Sequence, residues 1–271
     1  MTERMVAVHL QTAERAYVDA YLERSGENMS SLIREAVALG TGRVRARIVT
    51  TGYAPLVDAL NSVGSALNGA AHNANQSAAR YSRLRNIKGR DIDEMLRYLK
   101  AARDCAVTCD GRVGEVTAAA EPLLTCERFV LARPQGPVTS HALARVSEDD
   151  YIAVGAAAGA QGKTKSSFVR DLMMLVCAFG GVGRIAGRQV AIIREFDVAR
   201  VEHAVMRWET NEAQIPVALE RTRRTHEFSA QLDSIAAQDL VDYCDACCAY
   251  VTHACDSMRA AVAPFRAEAV S

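Results

Sequence analysis

The spacing of the hydrophobic residues changes near the N-terminus. Val6, Val8 and Leu10 alternate with their neighbours, which predicts a short β-strand with one buried face. The apolar positions then recur every three or four residues through two stretches separated by a glycine-containing turn, which predicts two helices. Thr12 and Ser30 stand where the N-caps of these helices are expected. The segment therefore predicts the order strand, helix, turn, helix.

The same pattern recurs 136 residues further along the chain. The segment SGENMSSLIRE at 25–35 falls on QGKTKSSFVRD at 161–171 without a gap. An offset of half of a 271-residue chain indicates that one unit has been duplicated. A strand this short needs a partner strand, and the other copy supplies one. We therefore predict that residues 5–10 and 141–146 pair as an antiparallel ribbon within one chain.

Each copy continues into two long amphipathic stretches, which predict a helical hairpin after each unit. The four expected helices cover about 55–82, 91–124, 196–224 and 227–262. Prolines and a glycine between the copies indicate a linker. The predicted fold class is therefore mainly α, with the first unit and its hairpin at 1–130, the linker at 131–140, and the second unit and its hairpin at 141–271.

The composition bounds the possible functions. Hydrophobic residues make up 49% of the chain, charged residues 24%, and the formal net charge is zero. A neutral chain does not bind polyanions by bulk charge alone, although positive charge is concentrated locally between residues 80 and 90. No apolar run approaches the length of a membrane span, and the first residues lack the pattern of a signal peptide. We expect a cytoplasmic protein that has no membrane partner.

The cysteines predict buried thiols. In a cytoplasmic chain, eight cysteines are expected to be reduced. Five lie in helical patterns at spacings that keep them on one helix face, where a free thiol behaves as a small hydrophobe: Cys105, Cys109, Cys244, Cys248 and Cys255. A zinc site in the Cys244–Cys255 segment is the alternative, but structural zinc ligands usually come from turns and this segment predicts an unbroken helix.

One motif predicts a different function. The segment AAGAQGKT at 157–164 fits a looser form of a phosphate-binding loop. Residues 151–154 could form the strand that such a loop needs, but the corresponding segment of the first copy could hold no phosphate. No Ser-His-Asp, paired-carboxylate or metal-hydrolase spacing is present either. The sequence therefore favours a protein that is not an enzyme and that has no cofactor, no metal and no small-molecule substrate.

The strand and two helices of each copy resemble the ribbon-helix-helix family of DNA-binding proteins. The resemblance covers 4–40 and 140–176. In that family two copies intertwine, and their strands pair as a ribbon that enters the major groove. The resemblance implies an intramolecular pseudo-dimer that binds double-stranded DNA.

A second resemblance lies in the first hairpin. The segment GSALNGAAHNAN at 64–75 is similar to the Asn-rich helix of the MobC plasmid mobilisation proteins. It matches that pattern at Gly64, Leu67, Asn68, Ala71 and Asn75, and departs from it at Ser65, Ala66, Gly69 and His72. The resemblance implies an accessory protein of a relaxosome, which binds near the transfer origin of a plasmid or mobile element and assists relaxase loading in conjugation.

The ribbon-helix-helix resemblance also implies site residues. By alternation, six side chains of the ribbon would face the bases, with the arginine suited to guanine: Met5, Ala7, His9, His141, Leu143 and Arg145. Phosphates would be held at the N-termini of the second helices by Ser30, Ser31, Lys163, Lys165, Ser166 and Ser167. A basic patch could contact the DNA backbone through Arg80, Arg83, Arg85, Lys88 and Arg90.

Two other functions fit the same units. One is a ribbon-helix-helix transcriptional repressor, such as a plasmid or toxin-antitoxin regulator. The other is a helical scaffold that binds the relaxase without binding DNA. The ribbon face has few hydrogen-bond donors for a reader of bases, which keeps the scaffold hypothesis open.

Overall fold

The computed structural model describes residues 2–82, 89–132, 137–227 and 234–266. The described part is mainly helical. In chain order, its elements are β1 (Glu3–Gln11), α1 (Thr12–Ser25), α2 (Met29–Gly40), β2 (Arg47–Val49), α3 (Ala54–Ser82), α4 (Gly89–Leu124), β3 (Glu127–Leu131), β4 (Val138–Ser147), α5 (Glu148–Ala160), α6 (Lys165–Phe179), β5 (Gln189–Arg194), α7 (Glu195–Glu227) and α8 (Ser234–Arg266).

The chain packs as two compact units. One contains Met1–Tyr53 and Thr125–Asp197, and the other contains Ala54–Leu124 and Val198–Ser271. Both strand-helix-helix segments therefore lie in the first unit, and both hairpins lie in the second. Each compact unit therefore contains one part of the first repeat and the corresponding part of the second.

In the first unit, β1 and β4 pair antiparallel, which confirms the predicted pairing of 5–10 with 141–146 and extends it at both ends. The side chains alternate as expected. The inward row is buried and consists of Val6, Val8, Leu10, Ala142, Ala144 and Val146. These side chains pack against the buried faces of α2 and α6, where Leu32, Ile33, Phe168 and Leu172 are almost fully buried. Burial of each such side chain contributes about 1.5–3 kcal/mol, so the alternation fixes which face of the ribbon remains outside.

The helix N-caps of the first copy differ from the prediction. The N-cap of α1 is Gln11 and not Thr12, and the Glu14 carboxylate accepts a hydrogen bond from the Gln11 backbone N–H at 2.9 Å. The N-cap of α2 is Asn28 and not Ser30, because the Asn28 side-chain oxygen accepts from the Ser31 N–H at 2.9 Å. Asparagine is at least as good an N-cap as serine, so the helix starts earlier and Ser30 lies in its first turn.

The sequence did not predict a second, parallel sheet in the first unit. Its strand order is β2-β5-β3, so β5 lies in the centre and is buried from Val190 to Ile193. The strand β2 has only three residues, and β3 lies at the end of the segment 1–130 that the sequence predicted as the first repeat with its hairpin. Of the expected linker 131–140, Leu131 belongs to β3, residues 138–140 belong to β4, and 133–136 lie outside the described residues.

The second unit contains the predicted long helices α3, α4, α7 and α8. Corresponding helices of the two repeats approach each other in parallel. Between α3 and α7, Thr222 Oγ1 donates to Ser77 Oγ at 3.5 Å in a buried contact. Between α4 and α8, Asp110 Oδ1 lies 2.5 Å from His253 Nδ1. These contacts join the two hairpins within the second unit.

The cysteines of the long helices belong to the interior of the second unit. Cys109, Cys244 and Cys255 are buried, and Cys105 and Cys248 are partly buried. Burial raises the pKa of the Cys109 and Cys244 thiols to about 12. These side chains therefore act as apolar packing groups at neutral pH.

Candidate functional site

The outward face of β1 and β4 is the first candidate surface. Its six side chains are all exposed, as the alternation predicts: Met5, Ala7, His9, His141, Leu143 and Arg145. The register places them in three directly opposite pairs, which are Met5 with Arg145, Ala7 with Leu143, and His9 with His141. The structure thus brings all six predicted ribbon residues onto one continuous surface.

This face combines apolar contact area with one guanidinium. Met5 and Leu143 are 48% and 50% exposed, so the face presents apolar side chains to its surroundings. The Arg145 side chain is 73% exposed, and one of its nitrogens lies 3.7 Å from a carboxylate oxygen of Glu3, which is also exposed. An exposed ion pair of this kind is weak, so Arg145 can exchange it for another acceptor.

The first turns of α2 and α6 hold the ribbon. Ser30 Oγ in α2 donates to the Leu143 carbonyl in β4 at 3.3 Å. Ser166 Oγ in α6 accepts from the His9 N–H in β1 at 3.1 Å. Each second helix is therefore attached to the strand of the other repeat. The Ser30 and Ser166 hydroxyls therefore position the ribbon, and phosphate binding at these helix ends stays a prediction.

The adjacent serines lie at the capped ends of these helices. Ser31 donates its N–H to Asn28, and Ser167 donates its N–H to the Thr164 side chain at 3.2 Å. A helix leaves its first four N–H groups without intrahelical partners, and each cap satisfies one of them. The positive ends of both helix dipoles thus lie beside the ribbon, where an anion is favoured.

The two predicted lysines do not form a free cationic pair. Lys163 Nζ donates to Asp171 Oδ2 at 2.8 Å and to the Thr50 carbonyl at 2.5 Å, and its side chain is only 13% exposed. Its ammonium is therefore engaged inside the first unit and not presented to a phosphate. Lys165 Nζ lies 3.3 Å from the centroid of the Tyr151 ring, a cation–π contact that holds its side chain against α5.

Asp171 is the centre of a buried ionic network that sequence reasoning missed. Besides Lys163, its carboxylate accepts from Arg194 at 3.1 Å and lies 3.9 Å from Arg170. Arg170 in turn lies 3.5 Å from the buried Glu14. Both repeats carry a basic residue followed by an acidic residue at the position of 170–171. The sequence alone does not show that β5 and the turn before α6 contact this position.

The second unit has a polar cleft between α3 and α7. Its volume is about 330 Å³. Its lining residues are Leu60, Asn61, Gly64, Ser65, Asn68, Ala204, Arg207 and Asn211. The lining contains no carboxylate, and Asn61, Ser65, Asn68, Arg207 and Asn211 have no side-chain hydrogen bond or ion pair within the described structure. The Asn-rich segment of the sequence thus supplies one wall of this cleft.

Most of the predicted basic patch lies outside the described residues. Arg80 lies at the end of α3, and its guanidinium is 3.4 Å from the Glu94 carboxylate. Arg83, Arg85 and Lys88 lie outside the described residues, as does the side chain of Arg90.

The alternative phosphate-binding loop is not supported by the local structure. The residues before Gly162 form α5, where the motif needs a strand, and the Lys163 ammonium is already bound to Asp171 and Thr50. Over the described ranges, no group of three or more His, Cys, Asp or Glu side chains converges as metal ligands do. No helix within those ranges is long and apolar enough to cross a membrane.

No family model, curated protein or solved structure matches this chain.

Proposed function

We propose that the chain binds double-stranded DNA through the outward face of β1 and β4, and that it is an accessory protein of a relaxosome that assists relaxase loading at a transfer origin. The observation that carries the proposal is the register of the ribbon. Ala7 lies opposite Leu143, and these two residues are counterparts in the 136-residue repeat. When two copies of one unit are related by a twofold axis, the residue nearest the axis lies opposite its own counterpart, as Ala7 and Leu143 do.

The contacts around the ribbon support the same pseudo-dimer. Ser30 and Ser166 are also counterparts in the repeat, and each bonds to the strand of the other half. A two-stranded ribbon fits the major groove of B-DNA, and flanking helix N-termini can receive the phosphates on either side. The ribbon face and both helix ends lie in the first unit, so this unit contains every element that the binding mode requires.

The two halves of the ribbon face are chemically unequal. On one side of the central pair lies Met5 with Arg145, and on the other lies His9 with His141. The counterpart of Arg145 in the repeat is His9. An arginine can donate two hydrogen bonds to one guanine, whereas a histidine ring cannot, so the DNA target is asymmetric.

Replacing Arg145 with alanine should cost about 1–3 kcal/mol of binding to the preferred site and should relax its sequence preference. Binding to unrelated duplexes should change much less. Fluorescence anisotropy with matched and mismatched duplexes, at fixed salt, measures both. Arg15→Ala is the matched control, since Arg15 is a partly exposed arginine in an ion pair with Asp19 on α1. Equal losses in the two variants would contradict base recognition by Arg145.

The cleft between α3 and α7 supports a protein partner. Side-chain amides can bond to another protein's backbone without the cost of burying a charge, and the small residues Gly64 and Ala204 allow close approach. The single guanidinium of Arg207 favours a partner that carries a carboxylate. On the proposed function, that partner is the relaxase.

Arg207→Glu is expected to weaken relaxase binding by about 2 kcal/mol or more and to leave DNA binding unchanged. The control is Lys100→Glu, which makes the same change of charge at an exposed residue of α4 in the same unit. A pull-down with the relaxase of the same mobile element, quantified against both variants, tests this. If Arg207→Glu retains the relaxase as well as Lys100→Glu does, the cleft is not the docking site.

A further inference from the structure

The paired histidines of the ribbon have a geometry that the DNA-binding proposal does not use. His9 and His141 are directly opposite each other, both are exposed, and their ring centroids lie 4.5 Å apart. The His9 N–H donates to Ser166 Oγ and not across the ribbon. The pair is therefore of the non-hydrogen-bonded kind, in which the two side chains of an antiparallel ribbon lie closest together.

The backbone that carries both histidines is held firmly. Val8 and Leu10, on either side of His9, are fully buried, and Ala142 beside His141 is nearly so. Because the strands are fixed, the two imidazoles are kept near each other and only their side-chain torsions need to adjust. A cation that binds one ring meets the second at high effective concentration.

Imidazole is a preferred ligand of the later divalent transition metals, whereas surface carboxylates are preferred by calcium and magnesium. Deeply buried thiols such as those of Cys177 and Cys247 compete poorly for a metal at neutral pH. Burial raises the pKa of Cys177 and Cys247 to about 12, so the thiolate that a metal requires is scarce.

We propose that His9 and His141 form a two-imidazole binding site for a divalent transition-metal cation of the Ni²⁺, Cu²⁺ or Zn²⁺ class, with water completing the coordination. Such a site links β1 to β4 across the outward face of the ribbon. It does not depend on the DNA-binding proposal, because it needs only the two rings and the register.

The test is calorimetric titration of Ni²⁺ into the full chain without an affinity tag, near neutral pH. Wild type should bind one equivalent, and either His9→Gln or His141→Gln should weaken that binding about 100-fold because the chelating partner is lost. His72→Gln and His203→Gln are the controls, since both histidines are exposed on the long helices. These controls should bind Ni²⁺ as wild type does.

A second measurement separates loss of the site from loss of folding. Ni²⁺ should raise the melting temperature of wild type and of both control variants, because it binds the folded ribbon. It should not raise that of His9→Gln or His141→Gln, whose melting temperatures without metal should equal that of wild type. Wild-type affinity in either ribbon variant, or an equal loss in a control variant, would overturn the proposal. Both results are obtained without DNA, so they are independent of whether the chain binds DNA.

Discussion

Replacing Asp171 with alanine is expected to destabilise the first unit by about 3–5 kcal/mol. Asp171 is only 4% exposed, and its carboxylate accepts from Lys163 and Arg194. Its removal leaves the Lys163 ammonium buried with a single carbonyl partner, that of Thr50. Loss of one member of a buried ion network costs far more than the net contribution of the network, because the remaining charge stays desolvated.

Denaturant unfolding of the full chain, followed by circular dichroism, measures this loss. Asp19→Ala is the matched control, because Asp19 also pairs with an arginine but is 43% exposed. The control should lose no more than about 1 kcal/mol. Equal destabilisation of the two variants would mean that the network at Asp171 contributes no more than a surface ion pair.

The same network changes what is expected of Lys163. From the sequence, Lys163 is a phosphate ligand whose loss lowers the salt dependence of DNA binding. From the structure, Lys163→Ala should lower stability and leave the salt dependence of DNA binding unchanged, because its ammonium is bound to Asp171 and Thr50. Titrations at several salt concentrations separate the two expectations.

Leu143→Glu should weaken DNA binding by about 3 kcal/mol or more, since it places a negative charge at the centre of the proposed base-facing surface. The fold should tolerate the change, because the Leu143 side chain is 50% exposed. Ile152→Glu is the control, since it introduces the same charge at a 63% exposed apolar residue of α5 in the same unit. Anisotropy titrations with one labelled duplex compare the two. Equal affinities in both variants would place DNA binding elsewhere or rule it out.

The sequence predicted the ribbon because both causes of the structure are visible in the sequence. Alternation at Val6, Val8 and Leu10 fixes the buried face, and the 136-residue offset identifies the partner strand. Because successive side chains of a strand point to opposite faces, these two facts also determine the exposed positions. The six residues of the outward face therefore follow from the sequence alone, although their role in DNA binding stays a prediction.

The remaining features depend on contacts between distant parts of the chain. The strand β2 is three residues long and has no recognisable period, so only its pairing with β5 reveals it. Lys163 lies in a glycine-containing turn beside a helix end, where exposure is the ordinary expectation. The Thr50 carbonyl that helps to bury its charge is 113 residues away.

The helix caps and the cleft illustrate the same limit. Asn28 and Ser30 are both good N-caps, and the local sequence does not decide between them. The Asn-rich segment of α3 is visible in the sequence, but its opposite wall, with Arg207 and Asn211, comes from a helix of the other repeat. A single repeat therefore could not reveal the cleft.

The most direct measurement of the central claim is selection of duplexes from a randomised DNA library by the full-length chain, with Leu143→Glu and Ile152→Glu selected in parallel. We expect wild type and Ile152→Glu to enrich one short motif that is not a palindrome and that contains a guanine contacted by Arg145. Leu143→Glu should enrich no motif. The account would be contradicted if wild type enriched no sequence, or if Leu143→Glu enriched the same motif as wild type.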